Sequence, residues 1–206
     1  MYTKSEMSVY SYESKFNKIK TQLLNAFATF HVWKALQVET NKEIYKDNIG
    51  FWSPTIPALE REWLITLARL FEDSRHTKRG DTLSIYSLIT EHPDSDKKTA
   101  AEAYLLKNKN IYSDIKELRD KHLAHNDLKA LMNVRGKGRK LTIGAIEDML
   151  NFTNELLKIL DSDNDRSYSL SVLKQQAETD TEYLIIALKY FHENRDKYLS
   201  SLAKGI

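Results

Sequence analysis

The sequence predicts an all-α protein, an antiparallel bundle of five to six main helices. Hydrophobic residues make up 41% of the 206 residues and charged residues 29%, with only 6 Gly and 3 Pro, a balance typical of a helical globular chain. Apolar residues recur every three or four positions, as one face of a helix requires. No stretch alternates convincingly between apolar and polar residues, as a strand would. The length suits one core, so we expect one domain over residues 1–206.

The first quarter of the chain is predicted to hold a loose polar arm over residues 1–12 and a long helix from about residue 13 to about residue 48. The residues that share the apolar face of this helix are Phe16, Ile19, Leu23, Ala26, Phe27, Phe30 and Trp33. The stretch 49–54, which ends in Ser-Pro, should break the helix. Ser53 or Thr55 then offers a cap for the next one.

The middle of the chain is predicted to hold a second helix, a short helix and a long helical segment. The second helix ends near Asp73, and its apolar stripe is Ile56, Leu59, Trp63, Leu67, Leu70 and Phe71. Asp81 caps a short helix from Thr82 to about Thr90, which the run 92–95 terminates. The long segment 96–125 follows, weakened around 107–110.

Two further helices are predicted toward the C-terminus. Thr142 starts one, with Ile146, Met149 or Leu150, Thr153, Leu156, Leu157 and Leu160 facing inward. Residues 161–169 form a polar connector. The last helix has a capping-box start at Thr179 and Glu182, or an earlier start near Ser171. Its predicted inward stripe is Leu184, Leu188, Phe191, Leu199 and Leu202.

Composition excludes several classes of function. The chain has no cysteine, which rules out disulfides and thiolate metal sites. The N-terminus lacks an apolar signal core and no run approaches ~18 apolar residues, so we expect a cytoplasmic protein without a membrane segment. No metal or other cofactor is expected, because the histidines outside 118–127 have no ligand spacing. These histidines are His31, His76, His92 and His192.

The candidate functional residues lie in the stretch 118–127, Leu-Arg-Asp-Lys-His-Leu-Ala-His-Asn-Asp. On a helix, His125 would lie roughly 120° round and about 9 Å along the axis from Arg119, a gap that a guanidinium can cover. The Asn-Asp pair favours a helix end, where the helix dipole would stabilise a protonated His125. A fixed cation beside an imidazole that titrates near neutrality suits a phosphodiester, which needs both charge neutralisation and proton transfer.

The spacing Arg119-Asp120-x4-His125 resembles the signature of the HEPN superfamily. With its LRDKHLAHND context and the upstream stretch 67–73, it is similar to the branch linked to bacterial abortive infection. The resemblance implies a HEPN-like bundle that cleaves RNA without a metal, with His125 as general base or acid, Arg119 stabilising the phosphorane and Asp120 orienting one of them. It also implies a C2 homodimer in phage defence or in a toxin–antitoxin system, where an antitoxin protein is a candidate partner.

A noncatalytic interpretation stays open beside this one. Asp120 stands where Asn is frequent in the family, and an extra carboxylate would repel a phosphate. The alternative is therefore a helical module that binds RNA, nucleotide or a partner protein. A purely structural alternative also exists, in which Arg119 pairs with Glu72 or Asp73 and His125 caps a helix.

A basic loop follows the motif and could add RNA contacts. Its cations are Arg135, Lys137, Arg139 and Lys140. Four cations on a glycine-hinged backbone suit phosphates without base recognition, although an ordinary solvated loop is about equally compatible. His122 is a weaker candidate, favoured as a partly buried structural residue. The formal net charge of +2 is too small to indicate nucleic-acid binding by itself.

Overall fold

A computed structural model describes residues 11–38, 45–46, 49–72, 83–111, 113–115, 142–161 and 170–203. Every regular element within these ranges is an α-helix, which confirms the all-α class. Six of these helices have seven residues or more, in line with the expected number. They are α1 (Tyr12–Leu36), α2 (Ile49–Leu70), α3 (Ile85–Glu91), α4 (Ser95–Lys107), α5 (Ile143–Leu160) and α6 (Leu170–Ala203).

The chain divides into two compact units, and α1 and α2 contribute to both. The first unit comprises Met1–Ala26 and Trp63–Tyr168, and the second comprises Phe27–Glu62 and Ser169–Ile206. That residues 1–206 act as a single domain stays a prediction.

The core of the first unit is built on α5. Thr142 caps this helix by accepting a hydrogen bond from the amide of Ala145 at 3.1 Å, as predicted. Every α5 position predicted to face inward is buried, and so are both of the alternatives, Met149 and Leu150. The other inward residues are Ile146, Thr153, Leu156, Leu157 and Leu160. Helix α4 packs against α5, and α3 packs against α4. The predicted apolar faces of the first two helices are also buried where they belong to this unit. The residues are Phe16, Ile19, Leu23, Ala26, Trp63, Leu67, Leu70 and Phe71.

The second unit has a smaller apolar cluster. Leu36, Trp52 and Ile185 are buried at its centre, one from each of α1, α2 and α6. The partly buried residues packed against them are Val32, Tyr45, Ile56, Leu59 and Leu188. The Tyr45 hydroxyl also donates to the carbonyl of Leu36 at 2.6 Å, at the last residue of α1.

Helix α1 is shorter than predicted, and α2 begins earlier. Helix α1 ends at Leu36 rather than near residue 48, in a turn where the amide of Gln37 donates to the carbonyl of Lys34 at 3.0 Å. Helix α2 begins at Ile49 and contains Pro54 and Pro57, so the stretch 49–54 does not interrupt it.

Packing explains why α2 tolerates its prolines. A proline inside a helix removes one backbone hydrogen bond, yet the neighbouring Trp52 is buried in the core of the second unit. Thr55 is not a cap, because its hydroxyl lies inside the helix and donates to the carbonyl of Phe51 at 2.6 Å. The burial of Trp52 therefore outweighs the local preference for a break at Pro54.

The short helix begins at a different cap from the one expected, and the helix after it ends where the sequence predicts a weak point. Ser84, not Asp81, caps α3 through a reciprocal pair of hydrogen bonds with Ser87, at 3.4 and 3.2 Å. Helix α4 ends at Lys107 with Asn108 as its C-cap, which confirms the weak point at 107–110. Residues 109–111 and 113–115 are helical again, and residues 116–125 lie outside the described ranges.

The last helix begins at the earlier of its two predicted starts, whereas its predicted inward stripe is largely wrong. Helix α6 begins at Leu170, close to the earlier alternative near Ser171, so Thr179 lies well inside it. Three of the residues predicted to face inward are about half exposed: Leu184 at 50%, Phe191 at 46% and Leu199 at 47%. Leu188 is partly buried, and the side chain of Leu202 lies outside the description. The buried positions are instead Leu170, Ala177, Thr181 and Ile185.

None of the helices within the described ranges combines the length and the apolar character that crossing a membrane requires.

The register of α6 can be tested with two single substitutions. Ile185→Ala should lower the free energy of unfolding by about 3 kcal/mol, because it removes a buried side chain from the second unit. Leu199→Ala should cost about 1 kcal/mol or less, because that side chain is half exposed. Urea unfolding at one protein concentration measures both. A larger loss for Leu199→Ala would support the stripe predicted from sequence instead.

Candidate functional site

Every residue that the sequence analysis assigns to the site lies outside the described residues. These residues are Arg119, Asp120, His122, His125, Arg135, Lys137, Arg139 and Lys140. The structure does describe the helical segments on either side of them in the chain, up to Ile115 and from Thr142, both in the first unit. The roles of these residues stay predictions, and the structure shows how the described residues that flank them are held.

The start of α4 is fixed by a side-chain cap that sequence analysis did not identify. The carboxylate of Asp94 accepts hydrogen bonds from the amides of Asp96 at 2.8 Å and Lys97 at 3.2 Å. The same two hydrogen bonds, with Lys97 first, lower the pKa of this carboxyl. The ammonium of Lys97 donates to the carbonyl of Asp161, which ties the start of α4 to the end of α5.

Aromatic stacking also joins α4 to α5. Tyr104 on α4 stacks on Phe152 of α5, with ring centroids 5.4 Å apart and planes 12° apart. Phe152 also stacks on Phe71, which follows α2, at 5.8 Å and 23°. Ile115, four residues before Arg119, is fully buried, and Ile146 is 4% exposed. The described residues that flank 116–141 in the chain are therefore packed in the core of the first unit.

His92 joins the ends of three helices and has a structural role. Its Nδ1 accepts from the amide of Asp94 at 3.0 Å, so Nε2 carries the hydrogen and donates to the carbonyl of Leu160 at 3.1 Å. The hydroxyl of Tyr12, the first residue of α1, donates to the same carbonyl at 2.9 Å. Burial is the main factor that raises the pKa of this phenol. With both nitrogens engaged, His92 is not available as a catalytic base.

Lys15 and Glu91 form a second contact that the sequence did not reveal. Lys15 is only 4% exposed. Its ammonium donates hydrogen bonds to both carboxylate oxygens of Glu91, at 2.9 and 2.8 Å. It joins α1 to the last residue of α3, 76 positions away in the sequence. No local pattern points to such a pair. A charge buried this well needs its partner, so the contact fixes α3 against α1.

The buried imidazole of His31 pairs with the partly exposed carboxylate of Glu178 in the second unit. Nδ1 of His31 lies 3.1 Å from Oε1 of Glu178, and the histidine is 1% exposed. Burial is the largest influence on the imidazole and lowers its pKa, although Glu178 acts in the opposite direction. The rings of Phe27 and Phe30 lie 4.5 and 5.1 Å away. His31 follows Phe27 by four residues on the buried face of α1, so its burial was predictable from the sequence. Its pairing with Glu178 was not.

An open polar groove runs along the first turns of α1, in the first unit. Hydroxyl and amide side chains dominate its lining, which comprises Ser11, Glu13, Ser14, Asn17, Lys18, Thr21, Gln22 and Leu83. Among the described residues that line it there is no histidine and no arginine, so these residues do not offer the cation–imidazole pair of the motif. Within the described ranges, no group of three His, Asp or Glu side chains is arranged to hold a metal ion.

Comparison with known proteins gives one match. The family model HEPN_AbiU2, described as AbiU2, matches residues 13–184. The matched range includes the motif, the basic loop and parts of both compact units. No curated protein and no solved structure matches the chain.

The His31–Glu178 pair predicts a particular response to acid. Because the pKa of His31 is lowered on folding, the unfolded state binds more protons below about pH 6.5. Stability should therefore fall as the pH drops from about 7 to about 5.5. His31→Gln should make this fall smaller, as measured by urea unfolding at each pH. The exposed His192→Gln is the matched control and should behave like the wild type. Equal falls in all three proteins would contradict the account.

Proposed function

Because the chain belongs to the HEPN_AbiU2 family, we propose that it is a metal-independent endoribonuclease of HEPN type and the effector of an abortive-infection or toxin–antitoxin system. The observation that carries the proposal is the Arg119-Asp120-x4-His125 motif, which falls inside the matched residues 13–184. The family assignment covers most of the chain, so the motif belongs to a whole HEPN-type sequence rather than to an isolated short match.

The surroundings of the motif support a catalytic site. Catalytic groups must be held to within about 0.5 Å of their working geometry, which requires rigid support. Ile115 is fully buried four residues before Arg119, and the Tyr104–Phe152 stack joins the helices on either side of the segment. The segment therefore starts and ends on packed helices, as a preorganised site requires.

The proposed reaction is transesterification within RNA. The ribose 2′-oxygen attacks the adjacent phosphorus and the bond from phosphorus to the 5′-oxygen breaks, which leaves a 2′,3′-cyclic phosphate. His125 of one copy takes the proton from the 2′-hydroxyl or gives one to the departing 5′-oxygen. Arg119 neutralises the charge that grows on the nonbridging oxygens, and Asp120 orients Arg119 or His125. None of these steps requires a metal.

Two copies of the chain form the proposed active site, with their motifs facing each other across a two-fold axis. Substrate phosphates reach it with the help of Arg135, Lys137, Arg139 and Lys140, while His122 has a weaker, supporting role. Cations on a glycine-containing loop bind the backbone without base recognition. The net charge of +2 means that such binding depends on this local cluster. A cognate antitoxin would act by covering or modifying this surface.

Asp120 favours one alternative function. A carboxylate next to a substrate phosphate repels it, so the same pocket would suit a noncatalytic module that binds RNA, nucleotide or a partner protein. The two functions separate in a cleavage assay, because a binding module leaves RNA intact.

The nuclease proposal is tested by incubating purified protein with total RNA in EDTA. The wild type should produce fragments with cyclic-phosphate ends, and Arg119→Ala or His125→Ala should lower the rate at least about a hundredfold. The exposed residues Arg61 and His192 provide matched controls, and Arg61→Ala and His192→Ala should retain activity. Cleavage that persists in both motif variants would refute the site assignment. RNA that stays intact with wild type would favour the binding module.

Asp120→Asn tests the role of the carboxylate. If Asp120 mainly repels the phosphate, the substitution should raise kcat/KM about tenfold, through KM. If Asp120 orients His125 or Arg119 through its charge, kcat should fall instead. Steady-state rates on one synthetic RNA measure both quantities, with Asp114→Asn as a control in the same helical segment before the motif. Unchanged kcat and KM would show that Asp120 has neither role.

A further inference from the structure

Three aromatic rings in the first unit form a stack that begins in the core and ends at the surface. Phe71 and Phe152 are 3% and 2% exposed, and their rings lie 5.8 Å apart with planes 23° apart. Tyr104 on α4 stacks on Phe152 in turn, with planes only 12° apart, and is partly exposed. The outermost ring is therefore held in a fixed plane by buried neighbours, while part of it stays accessible to solvent.

The hydroxyl of Tyr104 is not needed to hold this ring. Among the described residues it has no hydrogen-bond partner, so stacking alone positions the side chain. Burial is the larger of two causes that raise the pKa of the phenol, and the negative charge of Glu155 on α5 is the other. Glu155 therefore lies close enough to the surface end of the stack for its charge to act there.

The carboxylate of Glu155 has one oxygen engaged and one available. Oε1 accepts hydrogen bonds from the ammonium of Lys158 at 2.6 Å and from the amide of Asn154 at 3.4 Å. No donor from the described part of the chain reaches Oε2, and the side chain is about half exposed. An exposed carboxylate oxygen with unused lone pairs can accept a hydrogen bond from a bound molecule.

We propose that this surface binds one base of single-stranded RNA, which stacks on Tyr104 and donates a hydrogen bond from an exocyclic amino group to Glu155. Single-stranded RNA is recognised largely by stacking of its bases on aromatic side chains and by hydrogen bonds to the base edges. A ring that is already fixed in its plane loses little conformational freedom when a base stacks on it. Lys107 is exposed one helical turn after Tyr104 and supplies a cation for the adjoining phosphate.

Glu155 makes this site selective among bases. Adenine, cytosine and guanine each carry an exocyclic amino group, which donates to a carboxylate, whereas uracil has only carbonyl oxygens in such positions. The site should therefore disfavour uracil. This base recognition goes beyond the phosphate contacts of the basic loop, which carry no sequence information. The inference rests on the proposed function only in taking RNA as the ligand.

The first test measures binding of RNA strands that cannot be cleaved. Hexamers of 2′-O-methylcytidine and of 2′-O-methyluridine lack the attacking hydroxyl, so binding can be measured whether or not the chain is a nuclease. Fluorescence anisotropy should show that the wild type binds the cytidine strand at least about threefold more tightly. A wild type that binds neither strand up to about 100 µM, or binds both equally, would overturn the inference even if the protein cleaves RNA.

The second test removes the ring. Tyr104→Leu keeps an apolar side chain against Phe152 but should weaken binding of the cytidine strand about tenfold, because the stacked base loses its platform. Tyr104→Phe keeps the ring and should bind within about twofold of the wild type. Tyr183→Ala removes an exposed tyrosine from α6 and is the matched control. Circular dichroism checks helix content. A folded Tyr104→Leu variant that binds like the wild type would overturn the stacking role.

The third test changes the acceptor at an exposed position, where folding is not at risk. A glutamine amide both donates and accepts, so Glu155→Gln should tolerate uracil and reduce the preference for cytidine to about one. Glu102→Gln, at an exposed acid about 200° round α4 from Tyr104, is the matched control and should keep the preference. A Glu155→Gln variant that still prefers the cytidine strand as strongly as the wild type would overturn the assignment of Glu155.

Discussion

The burial of α5 is the constraint on which the rest of the first unit depends. Its inward residues Leu150, Leu156, Leu157 and Leu160 have no exposed surface, and α4 packs against it. Burying each such side chain contributes about 2 kcal/mol. The last carbonyls of a helix have no partner within it, and at Leu160 the side chains of Tyr12 and His92 supply two. Burial of α5 therefore also bears on where α1 begins and where α3 ends.

The fold was predictable where the apolar pattern has a single face. Helix α5 shows one stripe, and every predicted position is buried, including both of the alternatives Met149 and Leu150. Helix α6 is apolar on two sides, and the pattern favoured the stripe of Leu184 although Ile185 is the buried residue. Periodicity counts apolar residues without distinguishing a core from an exposed apolar surface. The prediction from local propensity that the stretch 49–54 breaks the helix was wrong for a related reason. The burial of Trp52 stabilises α2, which continues past Pro54.

The sequence predicts the candidate site only as a spacing. Arg119 and His125 are close enough in sequence for helix geometry to relate them, and the family match over residues 13–184 gives that spacing a context. The polar contacts that the structure adds could not be predicted, because they join residues far apart in sequence. Glu91 follows Lys15 by 76 positions, and Glu178 follows His31 by 147. Such pairs arise from tertiary packing, and their residue types alone suggest nothing more than ordinary surface charges.

The most direct test of the nuclease account is whether cleavage needs the 2′-hydroxyl at the cut site. Sequencing the ends of RNA treated with the wild-type protein would locate a cut, and a short RNA containing it can be made with one 2′-deoxyribose on the 5′ side of the cut phosphate. The account predicts rapid cleavage of the all-ribose strand and none of the substituted strand, because the attacking oxygen is missing. Equal cleavage of both strands would mean that water attacks the phosphorus, and would contradict the proposed roles of Arg119 and His125 in a transesterification.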